Sequence, residues 1–565
     1  MSALRAPGLG PIIGHTTDTT CRLWIQADDP EDNPGALNAN RRTIGVIGLL
    51  APDRKSVAHG WYFRLHREFD RTGTFVLGYD VALGRHQRDK VETPDIATPL
   101  RPDTAYTVRI GTLSVDDPWG DAENIDDRDL AARLPNIDIM APLLMELRPE
   151  DCELTFRTFP APLQDRLAFM VGSCRYPGLL WKIKEADRIF GPLSTHFQPS
   201  GPDGPARFTL MIGDQIYADK FSPFMPIGRA DTYREFQERY KMAFGSPNMR
   251  ALLRNAPTYM ILDDHEIEDN WSQDRLQQQS KHELFNLAIG AYMSYQWSHG
   301  PRTYGRLLYY KFDCGGYPFF ALDTRTQRIK DEDRGLADNH LLGRPTIDPI
   351  HKGQLSQLLD WLTEQQQAGG NVPKFIASAS VFAPNAMSER LNPAPDDTDP
   401  LLQSNQDRRD GSDSWAAFPR TRQAIVEHIV RQGIQNVIFL TGDIHCSNIA
   451  RLTFQSDSGA DSGLVAYDIT SSAFYWPFPF ADGDPNNYVH DSMAPDQFDV
   501  FPYHGGVMHY TAWGFTQEDN FCRIDIDRQA SDLTVRYFDR GGDILPVSDP
   551  NGQETDANRL VLAPW

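Results

Sequence analysis

Two patterns of apolar and polar positions divide the chain. In the first 160 residues the runs are short and alternate with a period of two. "GPIIGHTTDTTCRLWIQ" (10–26) alternates around Cys21, Leu23 and Ile25, and "WYFRLHREF" and "TGTFVLGYDVAL" follow. "LRPDTAYTVRIGTL" (100–113) sets a Pro-Asp turn before another alternating run, and "CELTFRTFPAP" (152–162) closes the series. Short strands separated by turn signals predict an all-β sandwich module, immunoglobulin- or fibronectin-like in kind. An insertion over 114–150 interrupts it, acidic at first and with a short helix near "IMAPLLMEL". The prolines of "FPAPLQDR" (159–166) break both strand and helix, so the expected division is 1–160 and 161–565.

Beyond that point apolar strands alternate with helical patterns. "RLAFMVGSC" (166–174), "FTLMIGD" (208–214), "PTYMILDD" (257–264), "YPFFALDTR" (317–325), "VPKFIASAS" (372–380) and "NVIFLTGD" (436–443) each run apolar and then turn polar. Between them, Leu355, Leu358, Leu359 and Leu362 recur at helical spacing in "GQLSQLLDWLTEQQ", and "RTRQAIVEHIVRQ" (420–432) repeats the pattern. Strand–helix alternation predicts an α/β domain whose strand C-terminal ends carry the site. The polar, Pro/Asp-rich tract 385–414 reads as a long surface loop, and 532–545 reads as a hairpin.

Charge narrows the function. The chain of 565 residues carries 77 acidic against 55 basic residues, a formal charge of −22. That excludes a general nucleic-acid binder or an anionic-membrane binder, which needs a basic face. The six scattered cysteines form no disulfide framework. Cys174 and Cys446 sit in polar motifs and are ligand candidates, while the other four read as buried small hydrophobes. "NRRTIGVIGLLA" (40–51) pairs two arginines with a short apolar run, as export signals do, but reads better as a strand entering a sheet. No apolar run reaches the length of a signal peptide or membrane span, so the expectation is a cytoplasmic protein without membrane insertion.

Four strand ends carry the candidate chemistry. They supply Gly172, Ser173, Cys174 and Arg175; Asp214, Tyr217 and Asp219; Asp263, Asp264, His265, Glu266, Asp269 and Asn270; and Asp443, His445 and Cys446. Each has an ordinary reading alone, since a Gly-Asp at a strand end often caps a helix and a lone cysteine is usually buried. Together, carboxylates, an imidazole and a thiol on one sheet edge would repel one another unless cations join them. Hard oxygen donors suit a hard ion, and a thiolate or phenolate suits iron. Two such ions can clamp a phosphoryl group and generate hydroxide.

"VGSC", "GDQIYAD", "DDHEIEDNW", "FFALDTRTQR", "DSWAAFPRTR" and "TGDIHCSN" resemble, in order, the motifs of the alkaline phosphatase D (PhoD-type) family of calcineurin-like metallophosphatases. The resemblance implies an αββα catalytic sandwich behind the N-terminal module, iron(III) and calcium in a dinuclear or larger cluster, and cleavage of phosphate mono- and diesters by metal-bound hydroxide. Carried over by position, Cys174, Asp214, Tyr217 and His445 would form the iron-type site. Asp214 would bridge to a calcium-type site completed by Asp264 and Asp443, with Asn270 nearby. His265 would be the general acid, oriented by Asp264, and Arg325 and Arg175 are candidates to hold phosphate oxygens, with salt bridges as the ordinary alternative. Asp219 is left to local capping or pairing, and Cys446 to structure. The sequence departs from the pattern at Arg175, where a small polar residue or glutamine is expected, and at Asp468, where glutamate is expected.

Two alternatives stand beside this reading. One is a dedicated phosphodiesterase on nucleotide, phospholipid or polymeric phosphodiesters, its specificity set by loops at 222–256, 272–305 and 385–414. The other is a binding protein with a decayed phosphatase fold, against which stands the occupancy of every expected ligand position.

Overall fold

The computed structural model describes residues 4–28, 41–78, 100–116, 127–178, 183–199, 204–219, 229–303, 307–331, 338–346, 352–385, 414–478, 487–494 and 500–565. The tract expected as a long loop at 385–414 lies almost wholly outside the described residues, as do the acidic start of the 114–150 insertion and the chain beyond Gly78 in "TGTFVLGYDVAL".

Two antiparallel sheets open the chain. β1 (Leu9–Thr16), β2 (Thr20–Gln26) and β5 (Thr72–Gly78) form one, and β3 (Arg41–Leu50), β4 (Val57–Arg64), β6 (Ala105–Asp116) and β7 (Glu153–Arg157) the other. Their alternating side chains, among them Leu23, Ile25 and Phe75 from the first and Ile47, Trp61, Val108 and Phe156 from the second, meet in one apolar cluster. The two-arginine segment at 41–50 is strand β3, and the insertion holds a helix at Ile137–Glu146, capped by the Asn136 side chain.

Two larger sheets follow. The first pairs β8 (Arg166–Gly172), β9 (Thr209–Ile212) and β10 (Thr258–Ile261) in parallel. Antiparallel β19 (Phe521–Asp527), β20 (Asp532–Phe538), β21 (Ile544–Leu545) and β24 (Asn558–Val561) extend it. The second runs in the order β11 (Tyr310–Cys314), β12 (Tyr317–Ala321), β13 (Lys374–Ser378), β14 (Val437–Thr441), β16 (Ala466–Thr470), β15 (Ser447–Ser456), β18 (Gly506–Thr516), β17 (Phe501–Tyr503). β12, β13, β14 and β16 are parallel neighbours, and β22 (Val547–Ser548) with β23 (Glu554–Thr555) makes a small separate pair.

Side-chain alternation decides the layers. Phe169 and Val171 of β8, Leu210 and Ile212 of β9, Phe375 of β13 and Ile438 and Leu440 of β14 point between the sheets. Met170, Met211 and Met260 face outward to helices Tyr233–Gly245, Pro247–Asn255 and Gln279–Tyr295. Ile376, Val437 and Phe439 face helices Gln354–Gly369 and Pro419–Gln432 on the other side. Burying each such side chain contributes about 1.5–3 kcal/mol. Much of 222–256 and 272–305, expected as loops, is therefore helical. Thr232 caps the first of these helices, and Glu235 reciprocates in a capping box.

The N-terminal sheets dock on this body through β1 and β2. Leu9, Ile12 and Trp24 join the helix-side cluster, and Trp24 Nε1 donates to the Ser294 carbonyl at 2.9 Å. Tyr259 Oη donates to the Thr16 carbonyl at 3.1 Å. All six cysteines are buried and unbridged. Among the described residues no helix is long and apolar enough to cross a membrane.

Candidate metal centre

The parallel strands β8, β9, β10 and β14 end on the same side of their sheets, and the chain turns sharply at each end. Cys174, Asp214, Asp443 and His445 all take left-handed backbone conformations there, with φ of 56°, 54°, 74° and 53°. Asn270 does the same at 55°. Non-glycine residues hold such angles at a cost, which the surrounding structure must over-determine. Gly213, at φ 83°, allows a close approach between two of these turns, since a Cβ there would sit 2.3 Å from Cβ of Asp263.

These turns gather the donors into overlapping groups. Ligand atoms of Cys174, Asp214 and His445 lie within 4.8 Å of one another, as do those of Asp214, Asp263, Asp264 and Asp443, and those of Asp214, Asp264 and His265. Asp214 belongs to all three. Tyr217 Oη donates to Asp214 Oδ2 at 3.2 Å and lies 3.3 Å from His445 Nε2. Asn270 joins through its backbone N–H, which donates to Asp264, and its side chain is exposed.

Without positive charge this cluster is electrostatically costly. Burial, then the charges of Asp264, Asp263, Glu266 and Asp443, push the Asp214 carboxyl well above the ordinary range. Burial and the neighbouring acids also push the Cys174 thiol and Tyr217 phenol well up. Cations would reverse each shift. The donor types are unevenly divided: thiol, phenol and imidazole gather around Asp214 with Cys174, Tyr217 and His445, and carboxylates predominate where it meets Asp263, Asp264 and Asp443.

Both arginines are engaged by protein groups. Arg325 is fully buried at the edge of the centre, ion-paired to Asp263, with Nη2 3.1 Å from Asp443 Oδ2. Arg175 turns its guanidinium to Ser246 at 2.8 Å and over the Phe190 ring at 5.3 Å, toward the start of helix Pro247–Asn255.

The histidine's orienting partner differs from the expected one. His265 Nδ1 lies 2.9 and 3.0 Å from the two Asp219 oxygens, so Nδ1–H donates there and the ring is fixed. Asp264 instead accepts from the His265 backbone N–H at 3.0 Å. Tyr217 stacks on the imidazole at 4.2 Å between centroids. Asp219, expected to cap or pair locally, instead meets a partner 46 residues away in the chain.

Glu266, which the sequence places at this strand end without assigning it a role, is fully buried. Its carboxylate accepts the backbone N–H groups of Asp214 at 3.1 Å, Gln215 at 2.6 Å and Asp263 at 2.9 Å, and Gln296 Nε2 at 3.0 Å. Burial raises its pKa to about 7 despite these donors. The available signal was an acid inside the buried run "LDDHEI". Asp468 is also buried, taking the backbone N–H groups of Phe382 and Ala383 and the Thr441 hydroxyl. Trp476, which the sequence did not single out, stacks on His445 at 3.5 Å.

A two-sheet α/β body with thiol, phenol, imidazole and carboxylate donors clustered at parallel strand ends defines the class: a protein built around a candidate multi-metal centre. Comparison with known proteins gives the family. A family model described as PhoD-like phosphatase matches residues 202–489, just over half of the sequence, and the chain belongs to that family. Alkaline phosphatase D of Bacillus subtilis (strain 168) is 25% identical over 252 residues. That match spans 42% of this chain and 40% of the relative's length. A solved structure of PhoD matches 98% of this chain and 92% of its own at 15% identity and a TM-score of 0.61, which establishes a shared fold.

Proposed function

We propose that this protein is a metal-dependent phosphohydrolase cleaving phosphate mono- and diesters. The observation that carries the reading is Asp214, shared between a Cys174–His445 group and an Asp264–Asp443 group. Cys174, Asp214, Tyr217 and His445 would hold an iron(III)-type ion, and Asp214, Asp264 and Asp443, with Asn270 nearby, a calcium-type ion. When bound, such ions supply positive charge to phosphoryl oxygens and acidity to water.

The remaining work falls to the chain's own groups. Asp219 holds the Nδ1 proton of His265, which leaves Nε2 as the position from which a proton passes to the departing alkoxide oxygen. Arg325 keeps Asp263 and Asp443 in place and offers its guanidinium at the edge of the centre. The stacked rings of Tyr217 and Trp476 limit water around the two histidines. We also read the two sheets with outer helices as an αββα sandwich, the N-terminal sheets as a separate sandwich module, and 159–166 as the join between 1–160 and 161–565.

Metal analysis of the purified protein, followed by kinetics on p-nitrophenyl phosphate and bis-p-nitrophenyl phosphate, tests the reading. The expected result is bound iron and calcium, a visible charge-transfer band from thiolate or phenolate on iron, and hydrolysis of both esters. A colourless, metal-free and active preparation would overturn the metal assignment. Hydrolysis of the diester alone would make the protein a dedicated phosphodiesterase.

A further inference from the structure

The turn that carries His265 also carries an acid with more cations than it can balance. Arg229 Nη1 and Arg275 Nη1 each lie 2.8 Å from a Glu268 oxygen, and Lys281 Nζ donates to both oxygens. Among the described residues Glu268 is the only acid in ion-pair contact with any of the three. Three cations on one carboxylate leave two positive charges over, in a chain whose net charge is −22. The side chains are 43%, 32% and 20% exposed for Arg229, Arg275 and Lys281, within reach of solvent and solutes.

Backbone hydrogen bonds fix this cluster beside the catalytic histidine. The Glu268 N–H donates to the Asp264 carbonyl at 2.7 Å. The next N–H, of Asp269, donates at 2.6 Å to Asp219, the carboxylate that also orients His265. On the other flank the Ala218 N–H donates to the His265 carbonyl at 2.9 Å, and the Ala230 N–H to the Ala218 carbonyl at 2.7 Å. Arg229 therefore enters one residue from a chain tied to His265. Among the described residues the nearby acids Asp274 and Asp269 form no ion pair with these three cations. Asp274 takes the backbone N–H groups of Lys330 and Asp331, and Asp269 has Oδ1 3.9 Å from His265 Nε2.

We propose that Arg229, Arg275 and Lys281 form a second anion subsite that takes a phosphate carried on the alcohol portion of the substrate. The proposal rests on the phosphohydrolase reading, in which His265 protonates the leaving oxygen and so marks the side on which the alcohol departs. The cluster lies on the turn that follows His265. Two guanidinium groups and an ammonium are the donors that phosphate oxygens bind best. The substrates so favoured carry a second phosphate a few bonds from the ester, as in a small bisphosphate or a polymeric phosphodiester.

The test uses the metal-loaded full chain and two substrate pairs: glycerol bisphosphate against glycerol monophosphate, and a dinucleotide with against without a terminal phosphate. The wild-type protein is expected to show a higher kcat/KM for the doubly charged member of at least one pair at low salt, and the pair that responds identifies the source. Arg229→Gln and Arg275→Gln are each expected to lower that preference ratio by about tenfold, chiefly through KM. Glu268→Gln, which removes the competing carboxylate, is expected to raise it. A merely structural network would lower both members of a pair alike and leave the ratio fixed. Equal kcat/KM within both pairs for the wild-type protein overturns the subsite while leaving the phosphohydrolase reading intact. Absence of hydrolysis of every ester, p-nitrophenyl phosphate included, overturns that reading instead.

Discussion

The N-terminal pair of sheets and the larger pair behind it use the same layer, apolar side chains alternating inward from two facing sheets, yet only one gathers the donors of a candidate metal centre. In the first pair every pairing between neighbouring strands among the described residues is antiparallel, so successive strand ends fall on opposite edges. In the second, β8, β9 and β10 in one sheet and β12, β13, β14 and β16 in the other run parallel, so their C-terminal ends share an edge. Polar residues placed after such strands must converge, whereas the same residues in the N-terminal sheets would be dispersed. Strand direction, more than composition, decides which region can concentrate charge.

The sharpest way to break this contrast is at the shared carboxylate. Asp214→Asn is expected to cut kcat/KM on both p-nitrophenyl esters by roughly a thousandfold or more while leaving the melting temperature near that of the wild type. Activity surviving in that variant would move the centre elsewhere. Next in size is Asp219→Asn, which replaces the acceptor of the His265 Nδ1 proton with an amide. A loss of about a hundredfold is expected, concentrated in kcat and strongest for substrates with poor leaving groups. An equal loss for good and poor leaving groups would reduce Asp219 to packing. Glu266→Gln places an NH₂ against backbone N–H donors that now meet a carboxylate oxygen. It is expected to lower metal content and activity together by about ten- to a hundredfold, and unchanged metal stoichiometry would contradict its role in setting the strand ends.

Two smaller effects probe the other side of the comparison. Trp24→Ala, at the seam where β2 meets helix Gln279–Tyr295, is expected to cost about 3–5 kcal/mol of stability. Specific activity of the folded fraction should persist, and a parallel loss in kcat would mean that the N-terminal sheets shape the centre. The same seam is acid-sensitive. Burial, and then the charge of Arg22, push the imidazoles of His15 and His299 down to about 3 from the ordinary 6.5. Both are neutral in the fold, while the unfolded chain takes up protons below 6.5. Their contribution to stability is therefore complete above that pH and is lost progressively as pH falls toward 3. Denaturation midpoints should decline on acidification from about pH 7 to about pH 5, and less so in a His299→Gln variant; identical slopes for both proteins would contradict this origin.

What the sequence made legible follows the same division. Runs such as "FTLMIGD" and "NVIFLTGD" announce both a buried strand and the polar residues at its end, because one stretch of chain encodes both. Cys174, Asp214, Tyr217, Asp264, Asp443 and His445 were accessible to that logic. The roles of Asp219 and Glu266, named at the same strand ends, were not, since their partners lie tens of residues away and depend on how the turns stack. Arg175 shows the converse: adjacency to Cys174 in sequence invited a phosphate role, but its side chain leaves for Ser246 and Phe190. Much of the expected loops at 222–256 and 272–305 is helical because apolar residues there, such as Phe236, Leu252 and Leu284, cover the sheet.

The left-handed backbone at Cys174, Asp214, Asp443 and His445 has a consequence for anyone selecting hardier variants. Glycine holds those angles without steric penalty, so a screen that rewards heat tolerance alone would be drawn to the very positions proposed to hold the metal ions. Robustness and reactivity compete here residue by residue, and selection for one without assaying the other would yield a sturdier, inert shell.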